Sequence, residues 1–225
     1  MDSLFLSLLP FIIGSALVPV QIIVVILLLT GEKRGPLKAI AFVLGMTVAR
    51  LVQGILFGFV FTGGSYDTAD ATNAGWIKAT LLTVLGLLML ITAYKKWSKE
   101  PDPDEPPPKW LAMLDGLTPW RALFLGAGFI FIAAKLWVFT LGALSTIGET
   151  QIGQPAATVA FLLYTLLAQS LLILPILIRL VLPKQAAGWL RSFGDWLERN
   201  NNTIVIIVSL VFGLLFLYQG ITAFF

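Results

Sequence analysis

The chain has 225 residues, of which 58% are hydrophobic and 12% charged, and its formal net charge is +3. A soluble domain carries about 25% charged residues. This composition therefore excludes a soluble domain and indicates an integral membrane protein. The sequence contains no cysteine and no histidine, which excludes a thiol–disulfide carrier and a Cys- or His-ligated metal or haem. We expect no cofactor, no metal site, no enzymatic activity and no nucleic-acid partner.

Six apolar runs of about 20 residues or more are long enough to cross a bilayer as helices. In chain order they lie near 4–30, 37–61, 76–95, 121–145, 156–180 and 202–224. They predict an all-α integral membrane protein with six transmembrane helices. The first run follows Met1-Asp2-Ser3 without a basic segment, so we expect it to be retained as the first span.

Prolines interrupt two of these runs. Pro19 lies in the middle of the first span, close to Gln21, and Pro175 lies in the fifth. A proline inside a helix leaves a carbonyl unpaired and bends the helix. Each proline is consistent with an ordinary kink, or with a broken helix that exposes polar backbone to a cargo at the midplane.

The spans contain two basic residues and no acidic one. Arg50 lies near the centre of the second span and Lys135 near the centre of the fourth. A cation at that depth costs roughly 2.5 kcal/mol or more, so each should face the protein interior or water. Three interpretations stay open: the cations lock helices together through freed carbonyls or through Gln53 and Gln169, they bind an anionic group of a cargo, or they snorkel or lie in spans that are misplaced here.

Residues 98–116 are typical of a linker, because five prolines alternate with acidic side chains. The linker separates a first three-helix repeat, 1–97, from a second, 117–225, and we expect the two to form one membrane domain. Residues 185–200 place Trp189, Phe193 and Trp196 at helical spacing between charged residues. This pattern favours a surface helix ahead of the sixth span, or a face that binds a partner.

The second half of the chain repeats the first. With Pro36 aligned to Pro155, Ala41-Phe42 falls on Ala160-Phe161 and Arg50 on Gln169 without a gap. Further along, residues 86–90 are echoed by 213–217. Because each repeat holds an odd number of spans, the second copy must be inserted upside down, which predicts two inverted three-helix repeats.

Basic residues are distributed unequally between the two sides of the membrane. Twelve of them fall in the first, third and fifth loops and only Lys78 falls on the other side. The positive-inside rule then places the Pro-rich central loop in the cytoplasm and both termini outside. We expect the bacterial plasma membrane as the location.

Two short motifs resemble those of the lysine exporter (LysE) superfamily, which has a Pro-containing motif in its first span and Asn-Pro-Lys in its fourth. They are Ser15-Ala16-Leu17-Val18-Pro19 and Ile132-Ala133-Ala134-Lys135-Leu136-Trp137, in which two alanines replace Asn and Pro. The long Pro-rich loop and Lys135-Leu136-Trp137 most resemble the GAP family of glycopeptidolipid- and sulfolipid-addressing (Sap) proteins. The resemblance implies a six-span membrane transporter.

These observations favour a secondary-type exporter or lipid-addressing protein that moves an anionic or amphipathic small molecule or lipid. Its substrate-binding residues would be two cations, three glutamines and two prolines: Arg50, Lys135, Gln21, Gln53, Gln169, Pro19 and Pro175. The alternative is a non-transporting accessory subunit that assists assembly of another membrane complex. Expected partners are membrane lipids, the cargo, and a second copy of the chain or a membrane complex.

Overall fold

A computed structural model describes residues 2–31, 34–62, 68–98, 114 and 116–223 of the chain. All regular secondary structure in these ranges is helical, which confirms the predicted all-α class. Most of the predicted linker, 98–116, lies outside the described residues. The prediction of an inverted repeat remains a prediction.

The described ranges contain nine helices, which we number in chain order. They are α1 Asp2–Ala16, α2 Pro19–Thr30, α3 Gly35–Thr62, α4 Thr68–Ser98, α5 Pro119–Ile132, α6 Ala134–Glu149, α7 Ala156–Ala168, α8 Ser170–Val181 and α9 Pro183–Thr222.

Three of these helices are continuous and six form bent pairs. Helices α3, α4 and α9 are each long and apolar enough to cross a membrane. The pairs α1–α2, α5–α6 and α7–α8 are bent by 55°, 75° and 62° at short breaks. Counting each bent pair as one span gives up to six spans in the described part of the chain, at the positions of the apolar runs.

The break in the first span lies where Pro19 predicts it, because α1 ends at Ala16 and α2 begins at Pro19. A proline suits the first position of a helix, since its missing N–H would be unpaired there anyway. A break of the fifth span at Pro175 is not observed. Helix α8 continues through that residue, and the fifth span bends earlier, at Gln169.

The fourth span breaks at Ala133 without a proline. In a continuous helix, the carbonyl of Phe131 would accept from the backbone of Lys135. Here the indole N–H of Trp137 donates to that carbonyl at 3.0 Å. The side chain therefore satisfies an acceptor that the break leaves free.

The surface helix predicted over 185–200 is not separate from the sixth span. Both belong to α9, which has 40 residues and is about 60 Å long at 1.5 Å per residue. Because the hydrocarbon core is about 30 Å thick, the first half of α9 extends beyond it. That half packs on α2, where Gly194 lies against Ile26, and Lys96 at the end of α4 donates to Asn202 at 2.9 Å.

Glycines lie at two close helix crossings. A Cβ on Gly86 would lie 2.6 Å from the backbone nitrogen of Leu217, and one on Gly213 would lie 2.9 Å from the side chain of Leu90. Helices α4 and α9 share the most extensive contact in the described residues, so the two echoed segments pack on each other. Helices α3 and α5 meet in the same way at Gly45 and Gly126.

Candidate functional site

Arg50 lies near the middle of α3, and its side chain is completely buried. Thr47, Arg50 and Gln53 recur every three residues, which places their side chains close to one another along one side of the helix. Gln53 is also completely buried. The sequence thereby builds a polar stripe into an otherwise apolar span.

The guanidinium of Arg50 is held by neutral groups alone. Its Nη2 donates to the hydroxyl of Ser15 at 2.6 Å, and its Nη1 donates to the hydroxyl of Tyr164 at 3.2 Å. Its Cζ lies 5.8 Å from the centre of the Tyr164 ring, within the range of a cation–π interaction. The Nε has no partner, and in the described residues no carboxylate contacts Arg50.

The buried glutamines retain unused hydrogen-bonding atoms. Among the described residues, neither amide atom of Gln53 has a partner, and the Nε2 atoms of Gln21 and Gln169 have none. Gln169, at the break between α7 and α8, accepts from the hydroxyl of Thr47 at 3.1 Å. The sequence repeat pairs Gln169 with Arg50, and the structure places it one turn of α3 away from that arginine.

Lys135 occupies a separate environment, in the first turn of α6. It lines a cavity together with Gly14, Val18, Pro19 and Ser209. The cavity measures about 10 Å³, which is about the volume that the centre of one water molecule needs. No protein group in the described residues forms a hydrogen bond with the Lys135 ammonium.

Two helix N-termini meet at this cavity. Val18 and Ala133, which precede α2 and α6, provide no capping side chain, and neither first turn contains an acid. The N-terminal end of a helix carries about half a positive charge. The lysine and both helix ends therefore favour an anion at the same place.

The predicted site residues are thus distributed around the end of α1. Arg50 reaches that end through Ser15, and Lys135 reaches it through the cavity that Gly14 and Pro19 line. The structure brings Gln169 close to the Arg50 stripe through Thr47. Pro175 is buried in α8 beyond the break, and within the described residues no contact joins the two cations directly.

An aromatic cluster separates the lysine cavity from a polar cavity near both chain termini. The polar cavity measures about 450 Å³ and includes Ser7, Phe11, Thr146 and Gln219. Phe11 and Phe139 both pack on the completely buried Phe216, with ring centres 5.4 and 5.8 Å apart. Because Phe139 also lines the lysine cavity, these rings close it towards the termini.

A third cavity is an apolar cleft between α3, α6 and α7. It measures about 470 Å³. Its walls are apolar except for two residues at one end, and they comprise Leu51, Gly54, Ile55, Gly58, Leu144, Ile147, Gln154, Ala157, Thr158, Phe161 and Leu162.

Sequence reasoning missed the partners of Arg50. The sequence pattern marks Ser15 only as part of a motif and gives no role to Tyr164, nor to Thr47, which contacts Gln169. The repeat offers one signal for these residues. It aligns Arg50 with Gln169, and Thr47 lies three residues before Arg50 while Tyr164 lies five residues before Gln169. A buried arginine with no acid in its span also requires hydroxyl or carbonyl partners.

A protein-family model matches most of the chain. The family model for SfLAP, described as Sap, sulfolipid-1-addressing protein, matches residues 8–222. No curated protein and no solved structure matched the chain. The match confirms the resemblance to the Sap family and covers nearly the whole chain. With its apolar bent helices and its buried arginine, the chain is a helical membrane protein that belongs to the sulfolipid-addressing (Sap) family.

Proposed function

We propose that the protein moves an anionic amphipathic lipid across the plasma membrane and holds the anionic headgroup at Arg50. The observation that carries this proposal is the charge of Arg50, buried among neutral partners. An isolated buried cation is costly, so it needs an opposite charge or a set of strong acceptors. A sulfate or phosphate group supplies both, and the planar guanidinium binds such groups through two parallel hydrogen bonds.

The helix breaks support binding at this depth. Broken spans in transporters place helix N-termini at the midplane, where they attract anionic groups. The ends of α2 and α6 meet at the Lys135 cavity in this way. We infer that Lys135 binds the same headgroup as Arg50 once the end of α1 moves. The glutamines Gln21, Gln53 and Gln169 would then donate their unused amide N–H groups.

The conformation described here is closed to a cargo. The cavity at Lys135 accommodates about one water molecule, and Phe11, Phe139 and Phe216 separate it from the polar cavity. Cargo binding therefore requires the half-helices to move at their breaks. Movement of this kind is how inverted-repeat carriers alternate the access to a fixed site.

Movement of a labelled lipid in proteoliposomes tests the proposal. We expect the protein to carry an NBD-labelled sulfated glycolipid or phosphatidylglycerol between leaflets, as measured by dithionite quenching. Arg50→Gln should slow this movement at least about tenfold, because a hydrogen bond to a charged group contributes about 1.5–3 kcal/mol. Arg50→Lys should not restore it if the fork geometry matters.

Arg121→Gln is the matched control, since Arg121 is an exposed arginine in the first turn of α5. We expect it to move the lipid at the wild-type rate. Wild-type rates in the double variant Arg50→Gln, Lys135→Gln would contradict the anion site.

The accessory-subunit function is favoured by one feature of α9. Trp189, Phe193 and Trp196 are exposed along its first half, and the last two rings stack at 6.0 Å. Such a face would suit a membrane partner. If Trp189→Ala abolished lipid export in cells but left movement in proteoliposomes unchanged, the face would serve a partner in addition to transport. If Trp189→Ala abolished lipid export in cells and the wild-type protein moved no lipid in proteoliposomes, the accessory role would be favoured.

A further inference from the structure

We propose that the apolar cleft between α3, α6 and α7 is a binding site for one acyl chain of a membrane lipid. The proposal deepens the proposed function, since it names the apolar part of the cargo and where that part lies. It rests on the shape, lining and position of the cleft, which are independent of the two cations.

The cleft has the size and composition of a ligand site. Its volume of about 470 Å³ falls within the roughly 300–1,000 Å³ that is usual for small-molecule pockets. Most of its lining is apolar, and it opens at the membrane-facing residues Ile55 and Leu162, which are 76% and 49% exposed. Within the hydrocarbon core of a bilayer no water is available, so hydrocarbon is the material that would fill an apolar opening in a membrane span.

The two polar residues of the cleft lie together at one end. The hydroxyl of Thr158 donates to the side-chain oxygen of Gln154 at 2.6 Å. These residues lie beside the start of α7, whereas Leu51 lies near the middle of α3. A lipid whose ester or headgroup is at Thr158 would therefore extend its chain towards the centre of the bundle.

A glycine provides part of the space. Among the described residues, the one atom outside its own helix that a Cβ on Gly58 would meet within 4 Å is Cδ2 of Leu144, at 3.9 Å. A larger side chain at Gly58 would therefore occupy the cleft without displacing the backbone.

The cleft also contacts the Arg50 site. The ring of Phe161, which forms one wall, stacks on the ring of Tyr164 at 5.9 Å. Tyr164 in turn accepts the hydrogen bond from Arg50. A chain in the cleft would therefore press on the side chain that positions the arginine, so one lipid would contact both sites.

Photolabelling in nanodiscs tests the site. The probe is a phosphatidylglycerol with a diazirine in the middle of one acyl chain, and labelled peptides are mapped by mass spectrometry. We expect saturable labelling of residues 51–58 and 157–162, which unlabelled phosphatidylglycerol displaces and glycerophosphoglycerol does not. Gly58→Leu should reduce this labelling at least about tenfold, because it fills the space of several methylene groups.

Gly128→Leu is the matched control. Gly128 lies in α5, away from the cleft, and a Cβ there would meet nothing within 4 Å. Both substitutions replace a helical glycine with a better helix former, so neither should lower the unfolding temperature. We expect Gly128→Leu to be labelled like the wild type.

Three results would overturn the proposal. The first is non-saturable labelling spread over all lipid-facing helices and unchanged by Gly58→Leu, which would show bulk lipid contact only. The second is labelling by a diazirine fatty acid and not by the phospholipid. The third is disulfide formation between two copies of Ile55→Cys in this cysteine-free chain, because a second copy would then cover the cleft. Arg50→Gln is not expected to abolish labelling, so failure of the cleft and failure of the anion site can be told apart.

Discussion

Arg50 keeps its charge inside the protein through two hydroxyl oxygens and one aromatic ring. Ser15 comes from α1 and Tyr164 from α7, so the guanidinium joins three helices that are distant in sequence. Five N–H donors are available on the side chain, and at least the Nε–H is unused. The group is therefore positioned by the protein but incompletely satisfied by it.

Removing the Tyr164 hydroxyl should expose this dependence. We expect Tyr164→Phe to lower the free energy of unfolding by about 1–3 kcal/mol, because a buried charged donor loses its acceptor while the ring still fills the space. Unfolding in mixed SDS micelles measures the change.

The same substitution in an Arg50→Gln background provides the control. If the hydroxyl acts through Arg50, its removal should cost clearly less there, since the charged donor is absent. An equal cost in both backgrounds would show that the hydroxyl stabilises the protein through another group.

At single positions, the sequence predicted the unusual residues but not their partners. Arg50 and Lys135 are recognisable because cations are rare in apolar runs. Ser15 and Tyr164 are common residue types in such helices, and their contact with Arg50 depends on how α1 and α7 pack on α3. No local pattern in the sequence contains that information.

At the level of the helices, glycine decides how closely the spans approach. The backbones of α4 and α9 touch at Gly86, where a Cβ would lie 2.6 Å from the nitrogen of Leu217. Backbone atoms cannot rotate away as a side chain does, so one added methyl group must separate the helices.

Alanine substitutions at two glycines should therefore have opposite effects. We expect Gly86→Ala to destabilise the protein by about 1–3 kcal/mol through overpacking. Gly128→Ala should be neutral or stabilise it by up to about 1 kcal/mol, because alanine favours a helix and meets nothing there. Unfolding in SDS measures both, and a stable Gly86→Ala variant would mean that α4 and α9 are loosely packed.

The breaks show where prediction from sequence stops. Pro19 indicates the break in the first span because the residue cannot donate a backbone hydrogen bond. The bends at Ala133 and Gln169 have no such marker. At Ala133 a nearby side chain satisfies the freed carbonyl, since Trp137 donates to Phe131. The sequence predicts a surface helix that ends at 200 and a span that begins near 202, but α9 continues through Asn200, Asn201 and Asn202.

For the whole molecule, the sequence predicts which side of the membrane each end faces. The end of α4 and the middle of α9 meet at the contact between Lys96 and Asn202, as expected if the third and fifth loops lie on one side. We propose that this side is the cytoplasm of a bacterial cell and that both termini lie outside.

Cysteine labelling in intact cells tests this orientation, and the native chain has no cysteine to interfere. We expect Ser65→Cys, in the loop between the second and third spans, to react with an impermeant maleimide. Ser98→Cys, at the end of α4, should react only after the cells are permeabilised. The reverse pattern would mean that the positive-inside rule fails for this chain.

The neutral surroundings of Arg50 have an electrical consequence. A membrane potential acts on an uncompensated charge with about 2.3 kcal/mol per elementary charge per 100 mV. The loaded site holds Arg50, Lys135 and one bound anion, so it carries one positive charge fewer than the empty site and should respond less strongly to voltage. Exchange of labelled for unlabelled lipid should then depend only weakly on a potassium diffusion potential. Net efflux, which needs the empty protein to return, should vary with it.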